Sequence, residues 1–200
     1  AFFPGCMLNY VYPEAGVAVV DILTRNGVEV VLPEELFCCG APAYTSGDFI
    51  DGQYLAAQNV ETLYKGNYDA IITACASCGS ALKYDYGQVI SDEAVKEKWQ
   101  AVADKVYDVT QYLVKIGYTK KFGEIKRRVT YHDPCHLVRG MNVTKEPREI
   151  ITSIPGVEFI EMKDAKRCCG SGGTFSLSHY ELSRAINDQK IANAEATGAD

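Results

Sequence analysis

Two stretches decide the fold, "NGVEVVLPEELFCCG" at residues 26–40 and "PGVEFIEMKDAKRCCG" at residues 155–170. Each leaves a turn dipeptide, enters a Gly-Val-Glu strand start and ends on Cys-Cys-Gly. Outward from them the eight cysteines fall into two groups: Cys6, Cys38, Cys39, Cys75 and Cys78, then Cys135, Cys168 and Cys169. Cys6 and Cys135 lie 129 residues apart, and each cysteine of the first pair lies 130 from its counterpart in the second. That is an internal duplication with a single-residue insertion. The same step would place a counterpart of Cys75-Ala-Ser-Cys78 near positions 205 and 208, so the second copy is expected to be cut short at Asp200. The opening "AFFPGC" reads as a strand already under way, so residues are expected before it.

Local patterns place the cysteines. "EAGVAVVDILTRNG" has helical spacing and closes on Asn26-Gly27, a helix stop signal. "VEVVLP" reads as a strand, "FIDGQYLAAQNVETLYKG" as a helix ending at Gly66, and "YDAIITAC" as a buried strand. The second copy follows with strand "RRVTYHDPC", helix "EPREIITSI", strand "VEFIEM" and helix "SHYELSRAINDQKIANAEATG". Strands alternating with helices predict an α/β fold: two duplicated Rossmann-like halves with parallel sheets covered by helices. The expected division is residues 1–90 for the first cysteine-rich repeat, 91–127 for a connector and 128–200 for the second repeat. The connector, with Ala94, Val95, Trp99, Val102, Val106, Val109, Leu113 and Ile116 at helical spacing, reads as helical with a break near Asp108; Trp99 is assigned to the core. Cys6, Cys75 and Cys135 fall at the carboxyl ends of strands, and the two Cys-Cys pairs in strand-to-helix loops. In open α/β sheets that edge binds ligands.

Composition narrows the chemistry. At 47% hydrophobic residues the chain can pack a core without metal staples. No apolar run approaches the roughly 18 residues of a membrane-spanning helix. The net charge is −6, with five Lys/Arg against 13 Asp/Glu in residues 1–100. Such a chain is a poor match for nucleic acid. The basic run "KKFGEIKRR" at residues 120–128 reads as a solvated connector. Eight cysteines in a chain with long aliphatic segments point to metal binding or redox chemistry rather than a disulfide scaffold.

The first copy reads Cys-x31-Cys-Cys-x35-Cys-x2-Cys. This pattern resembles the CCG cysteine-rich domain family, as do "HDPCH" at 132–136 and "CCGSGGTFSLSH" at 168–179 in the second copy. Its members include the B and D subunits of heterodisulfide reductase and the iron–sulfur subunits of glycolate oxidase, lactate oxidation complexes and anaerobic glycerol-3-phosphate dehydrogenase. "CGSALKYDYGQVI" at 78–90 and "CCGSGGTFSLSHYELSRAINDQK" look most like the glycolate oxidase type. The resemblance implies an iron–sulfur electron-transfer subunit of an oxidoreductase acting on a 2-hydroxy acid such as glycolate or lactate, and taking electrons from a flavin-containing dehydrogenase subunit. It implies further iron–sulfur subunits or domains as partners, and a cytoplasmic location, with the inner face of a membrane reached through partners. It also implies [4Fe-4S] clusters, non-cubane ones in heterodisulfide reductase. Cys6, Cys38, Cys39, Cys75 and Cys78 would bind one cluster, and Cys135, Cys168 and Cys169 part of a second. This piece alone is expected to turn over no substrate, and its clusters can be absent.

Thiolates are the usual iron–sulfur ligands, and five where four suffice invite an unusual arrangement. Gly40, Gly170, Gly172 and Gly173 would let backbone amides approach sulfur, and the following helix N-termini would favour its negative charge. Other readings stay open. Zinc suits four thiolates, or three with one of His132, His136 or His179. Cys75-x-x-Cys78 has the spacing of a redox dithiol. "GSGG" at 170–173 before a helix would suit a phosphate, but without Gly-x-Gly-x-x-Gly. A heterodisulfide-reductase-like subunit cleaving a disulfide at the cluster is the other functional reading. His136 is read as hydrogen-bonded and structural, His132 as facing the strand interior, and Asp133 as a loop cap. Tyr44 and Ser46 are placed near the first Cys-Cys-Gly.

Overall fold

Residues Ile71–Thr73, all β-branched, form the strand β1, and all three are buried. In the computed structural model, which describes residues 1–200, β1 pairs in parallel with β2 (Val106–Asp108), Ile71 opposite Val106 and Thr73 opposite Asp108. On its other side runs the opening segment: Phe2 bridges Ile72 in parallel, Phe3 N–H donates to Ile72 O at 2.8 Å, and Ile72 N–H donates to Ala1 O at 2.9 Å. Beyond it, Phe2 N–H donates to Val31 O at 2.8 Å. The expected strand at residues 28–33 is thus present only as an extended edge segment. Alternation along these segments sorts side chains to two faces. Phe3, Ile71 and Val106 join Ala56, Val60 and Leu63 of α3 (Phe49–Lys65) and Val102 of α6 (Glu93–Ala103). Phe2 and Ile72 join Val19 and Leu23 of α1 (Pro13–Arg25) and Leu113 of α7 (Val109–Ile116). Helices therefore cover the sheet on both sides.

Sequence signals set most helix ends. α1 carries Pro13 in its first turn and stops at Asn26, with Gly27 at φ 78°. α3 is capped by Asp48, which accepts from Asp51 N–H, and stops at Gly66. Asp92 caps α6 and Asp108 caps α7. Between β1 and α6 the chain forms α4 (Ala76–Ser80), a wide π-helical stretch (Ala81–Asp85) and α5 (Tyr86–Val89). α2 (Ala41–Thr45) follows the first Cys-Cys-Gly. The connector is not wholly helical. Its break near Asp108 contains β2, which is hydrogen-bonded to β1 rather than exposed between repeats. Burial of Val106 beside Ile71 overrides the helical spacing read across it.

In the second part, β3 (Arg127–Val129) and β4 (Val157–Phe159) pair in parallel. Asp200 N–H donates to Arg128 O at 2.9 Å, so the end of the chain also runs beside β3. α8 (Glu146–Thr152) packs on α7, and Tyr118 OH donates to Ser153 Oγ at 3.1 Å. α9 (Phe175–Ser178) and α10 (Tyr180–Glu195) complete the chain.

Candidate functional site

Cys6 and Cys75 stand just beyond neighbouring segments of the first sheet. Cys6 opens a wide helical turn, Met7–Val11, and Cys75 is the N-cap of α4. Cys78 lies within α4, and Cys38 and Cys39 precede Gly40, the N-cap of α2. The fold brings all five together. Cys6 Sγ and Cys38 Sγ are 3.9 Å apart. Cys38, Cys39, Cys78 and Cys75 lie close enough for each to perturb the ionisation of the next. Cys39 and Cys78 are buried, the others half-buried, and none of the eight cysteines is in a disulfide.

The row divides into donors and acceptors. Hydrogen bonds from the Cys38 and Cys78 thiols hold Cys39 down to about 3, and the bond from Cys78 brings Cys75 down to about 6. Cys38 and Cys78, as donors to a thiolate, are pushed up, with burial adding to the rise. The Gly40 amide favours the anionic form of Cys38, and the Ala41 amide that of Cys39. The pocket thus favours anionic sulfur at Cys39 and Cys75 and the neutral thiol at Cys38 and Cys78.

Backbone geometry makes room for this row. Gly40 and Gly170 occupy the same left-handed conformation, at φ 76° and 81°. A Cβ on Gly40 would lie 3.3 Å from Gly52 O on α3; one on Gly170 would collide with Ser183 O on α10. Gly5 is a site residue that the cysteine spacing does not reveal. At φ 65° it lets the chain pass the Cys78 thiol, where a Cβ would sit 2.6 Å from Sγ; Pro4-Gly5 ahead of Cys6 is the signal that could have found it. Asn59 on α3, fully buried, clamps the loop before the first pair. Its Oδ1 accepts from Phe37 N–H at 2.8 Å and its Nδ2 donates to Cys38 O at 3.0 Å. Tyr86 OH donates to Cys39 O at 3.0 Å. Tyr44 lies beside the set as expected, donating to Asp85 Oδ2 at 2.9 Å, and Ser80 Oγ donates to the other carboxylate oxygen at 3.4 Å.

The second set is also assembled. Burial pushes the Cys135 thiol up, and the Cys168 and Cys169 sulfurs nearby add to the rise. Gly170 N–H donates to Cys168 Sγ at 3.3 Å. Ser183 Oγ donates to Gly170 O at 2.8 Å, and Asn187 Nδ2 to Cys169 O at 3.1 Å. Gly172 lies in an open loop with no close neighbour, and Gly173 reaches Thr45. Asp133 does more than turn the loop: it is buried and held by Arg148, whose two terminal nitrogens donate to its oxygens at 2.9 and 2.8 Å. Arg148 also grips Glu161 through two bonds of 2.7 Å. His132 leaves its buried Nδ1 without a partner, and burial, with Lys190 nearby, pushes its pKa below the usual histidine value. His136 is exposed, and no hydrogen bond holds its ring. His179 stacks on Phe175, centroids 5.1 Å apart.

The segments that carry the two sets pack together where the two parts meet. The helix carrying Cys78 packs on the turn after Cys135 (His136–Gly140), with Gly79 against Met141 and Gly140 against Ser80. Ser46, after the first Cys-Cys-Gly, meets Thr174, after the second, at 3.4 Å.

Residues 1–83 and 129–200 match the CCG family, described as a cysteine-rich domain. The chain is 40% identical over 200 residues to an uncharacterized iron–sulfur protein of Methanococcus maripaludis, covering all of this chain and 38% of that one. It is 38% identical over 94% of its length to a subunit of the fumarate reductase (CoM/CoB) of Methanothermobacter marburgensis, of which it covers 36%. It is 33% identical over its whole length to lactate utilization protein A of Halalkalibacterium halodurans, of which it covers 82%. The chain therefore spans little more than a third of the first two relatives. It belongs to the CCG cysteine-rich domain family.

Proposed function

We propose that this cysteine-rich chain is part of an iron–sulfur electron-transfer subunit of an oxidoreductase complex. The observation that carries the reading is the gathering of five free thiols, Cys6, Cys38, Cys39, Cys78 and Cys75, at the carboxyl edge of a parallel sheet, with Cys39 and Cys75 held toward the thiolate. The donor set fits a cluster better than one ion. Five free thiols exceed the four that close a structural zinc site, and thiolates are the usual iron–sulfur ligands. Cys135, Cys168 and Cys169 would supply ligands to a second centre. An iron–sulfur centre, when bound, supplies one-electron transfer. The protein's own part is to present thiolates, with the Gly170 amide donating to sulfur. Asn59 and Tyr86 hold the first loop, and Asn187 and Ser183 the second.

The finer reading is a member of the 2-hydroxy-acid oxidising type, taking electrons from a flavin-containing dehydrogenase subunit; its support is the similarity to lactate utilization protein A. Two duplicated Rossmann-like halves, divided as residues 1–90 and 128–200 about a connector, account for the two parallel strand pairs and the paired Gly40 and Gly170 conformations. The [4Fe-4S] form, the non-cubane geometry and the cytoplasmic site of action belong to this reading too. No helix is long and apolar enough to cross a membrane. A second reading, in which a disulfide meets the centre directly, is favoured by the exposure of Cys168. Iron, acid-labile sulfide and zinc per chain, measured on protein purified without oxygen, test the first statement. Iron and sulfide in similar amounts are expected. Zinc near one with no sulfide would overturn it. Reoxidation of the reduced, loaded protein by a small disulfide would favour the second reading over the first.

A further inference from the structure

The loops before the two Cys-Cys pairs are held from below by different chemistry. Gly52 and Ser183 are the residues that close over Gly40 and Gly170. Seven residues on, at the same helical position, stand Asn59 on α3 and Lys190 on α10. Both are buried, Asn59 completely and Lys190 at 4% exposure. Asn59 grips its loop with a neutral amide, through Phe37 N–H and Cys38 O. Lys190 grips its loop with an ammonium, donating to Asp164 O at 3.4 Å, Ala165 O and Arg167 O at 3.1 Å. Three carbonyl acceptors use all three protons of –NH3⁺, so the geometry is that of the charged form.

A buried cation is costly unless nearby negative charge compensates it. Asp133 is one such charge, but Arg148 already holds it with two hydrogen bonds. Burial pulls the Lys190 pKa down, and the negative charges of Asp133, Cys169, Cys135 and Asp164 oppose that pull. The one basic side chain on the π-helical stretch after Cys78, Lys83, donates instead to the carbonyls of Ala103 and Val106.

We propose that Lys190 is a buried counter-charge serving the second thiol set, and that it raises the reduction potential of the centre at Cys135, Cys168 and Cys169 above that of the centre at Cys6, Cys38, Cys39, Cys75 and Cys78. The inference rests on the iron–sulfur reading. A reduced centre carries one more negative charge than the oxidised one. A buried cation hydrogen-bonded to the loop that leads into Cys168 therefore stabilises the reduced state selectively. Lys190 is a positioning and tuning residue: it touches the loop, not the sulfur.

The test is an anaerobic potentiometric titration of the full-length protein with its centres in place, followed by electron paramagnetic resonance. The signal lost in Cys168→Ser identifies the second centre. Lys190→Met is expected to lower the midpoint of that centre and leave the first unchanged, whereas Lys190→Arg keeps both. Lys190→Gln, which retains an amide donor like Asn59, serves if the Met variant fails to fold and is expected to give the same downward shift. A midpoint unchanged in the neutral variant, with iron and sulfide still at wild-type levels, overturns the inference alone. Absence of iron and sulfide from the wild-type protein overturns the iron–sulfur reading, and the inference with it.

Discussion

At the scale of the residue, the site depends on positions where one atom more or one charge less is felt. Gly5→Ala would put a Cβ 2.6 Å from Cys78 Sγ at a backbone angle that alanine resists. It is expected to lose about 1–3 kcal/mol in denaturant melts and to lower iron content when reconstituted. Gly27→Ala, equally left-handed but with no atom within 4 Å, is the control for strain alone. Removing the guanidinium with Arg148→Met strands buried Asp133 as an unpaired charge, at a cost of about 3–5 kcal/mol. The double variant with Asp133→Asn is expected to recover much of that loss in the same melts. His132 adds a pH dependence. Its folded-state pKa lies below the ordinary 6.5, so the unfolded chain binds its proton first as pH falls. Its contribution to stability is complete above 6.5 and is lost as pH drops through the lower folded value. Relative to wild type, His132→Gln is expected to flatten the fall in melting temperature between about pH 7 and pH 5.

At the scale of the element, packing decides where helices and strands sit. α5 rests on α6 through Gly87, where a Cβ would lie 2.5 Å from the Trp99 ring. Trp99 Nε1 donates to Leu82 O at 2.8 Å, tying α6 to the π-helical stretch that follows the Cys78 helix. Gly87→Ala is expected to push the indole outward and cost about 1–3 kcal/mol. Trp99 is the single tryptophan, so a red shift of its emission reports the displacement, and unchanged emission would refute it. The segment 28–33 was legible as extended but not as an edge, because its apolar residues are those a central strand would also carry. β2 was hidden for the opposite reason. Val102, Val106 and Val109 keep helical spacing, and only the pairing of Val106 with Ile71 makes the middle one a strand residue.

At the scale of the whole molecule, the two cysteine sets meet through small residues, Gly79 and Gly140, where side chains would keep the two parts apart. Gly140→Val is expected to disturb both sets at once, because the displaced Ser80 is tied through Asp85 to Tyr44 beside the first. Loss of iron from both centres, rather than from the second alone, is the outcome to look for in metal analysis. The proposed centres would couple cofactor binding to folding. Ligands drawn from loops far apart in the chain gain order when they share a centre, so removing it by chelation under air is expected to lower the melting temperature. An unchanged melt would mean that the thiol row is held by the fold alone.

The sequence by itself determined which residues form the two thiol sets, that the sets are related by a repeat, and where most helices start and stop. Those features are written locally, in spacing, in capping residues and in Cys-Cys-Gly. Tertiary structure alone decided that β2 joins the first sheet, that Arg148 holds Asp133, that Lys190 lies under the second loop where Asn59 lies under the first, and that the segments carrying the two sets pack together. Each of these depends on which groups lose water together, and that is settled only when residues distant in the chain pack against one another.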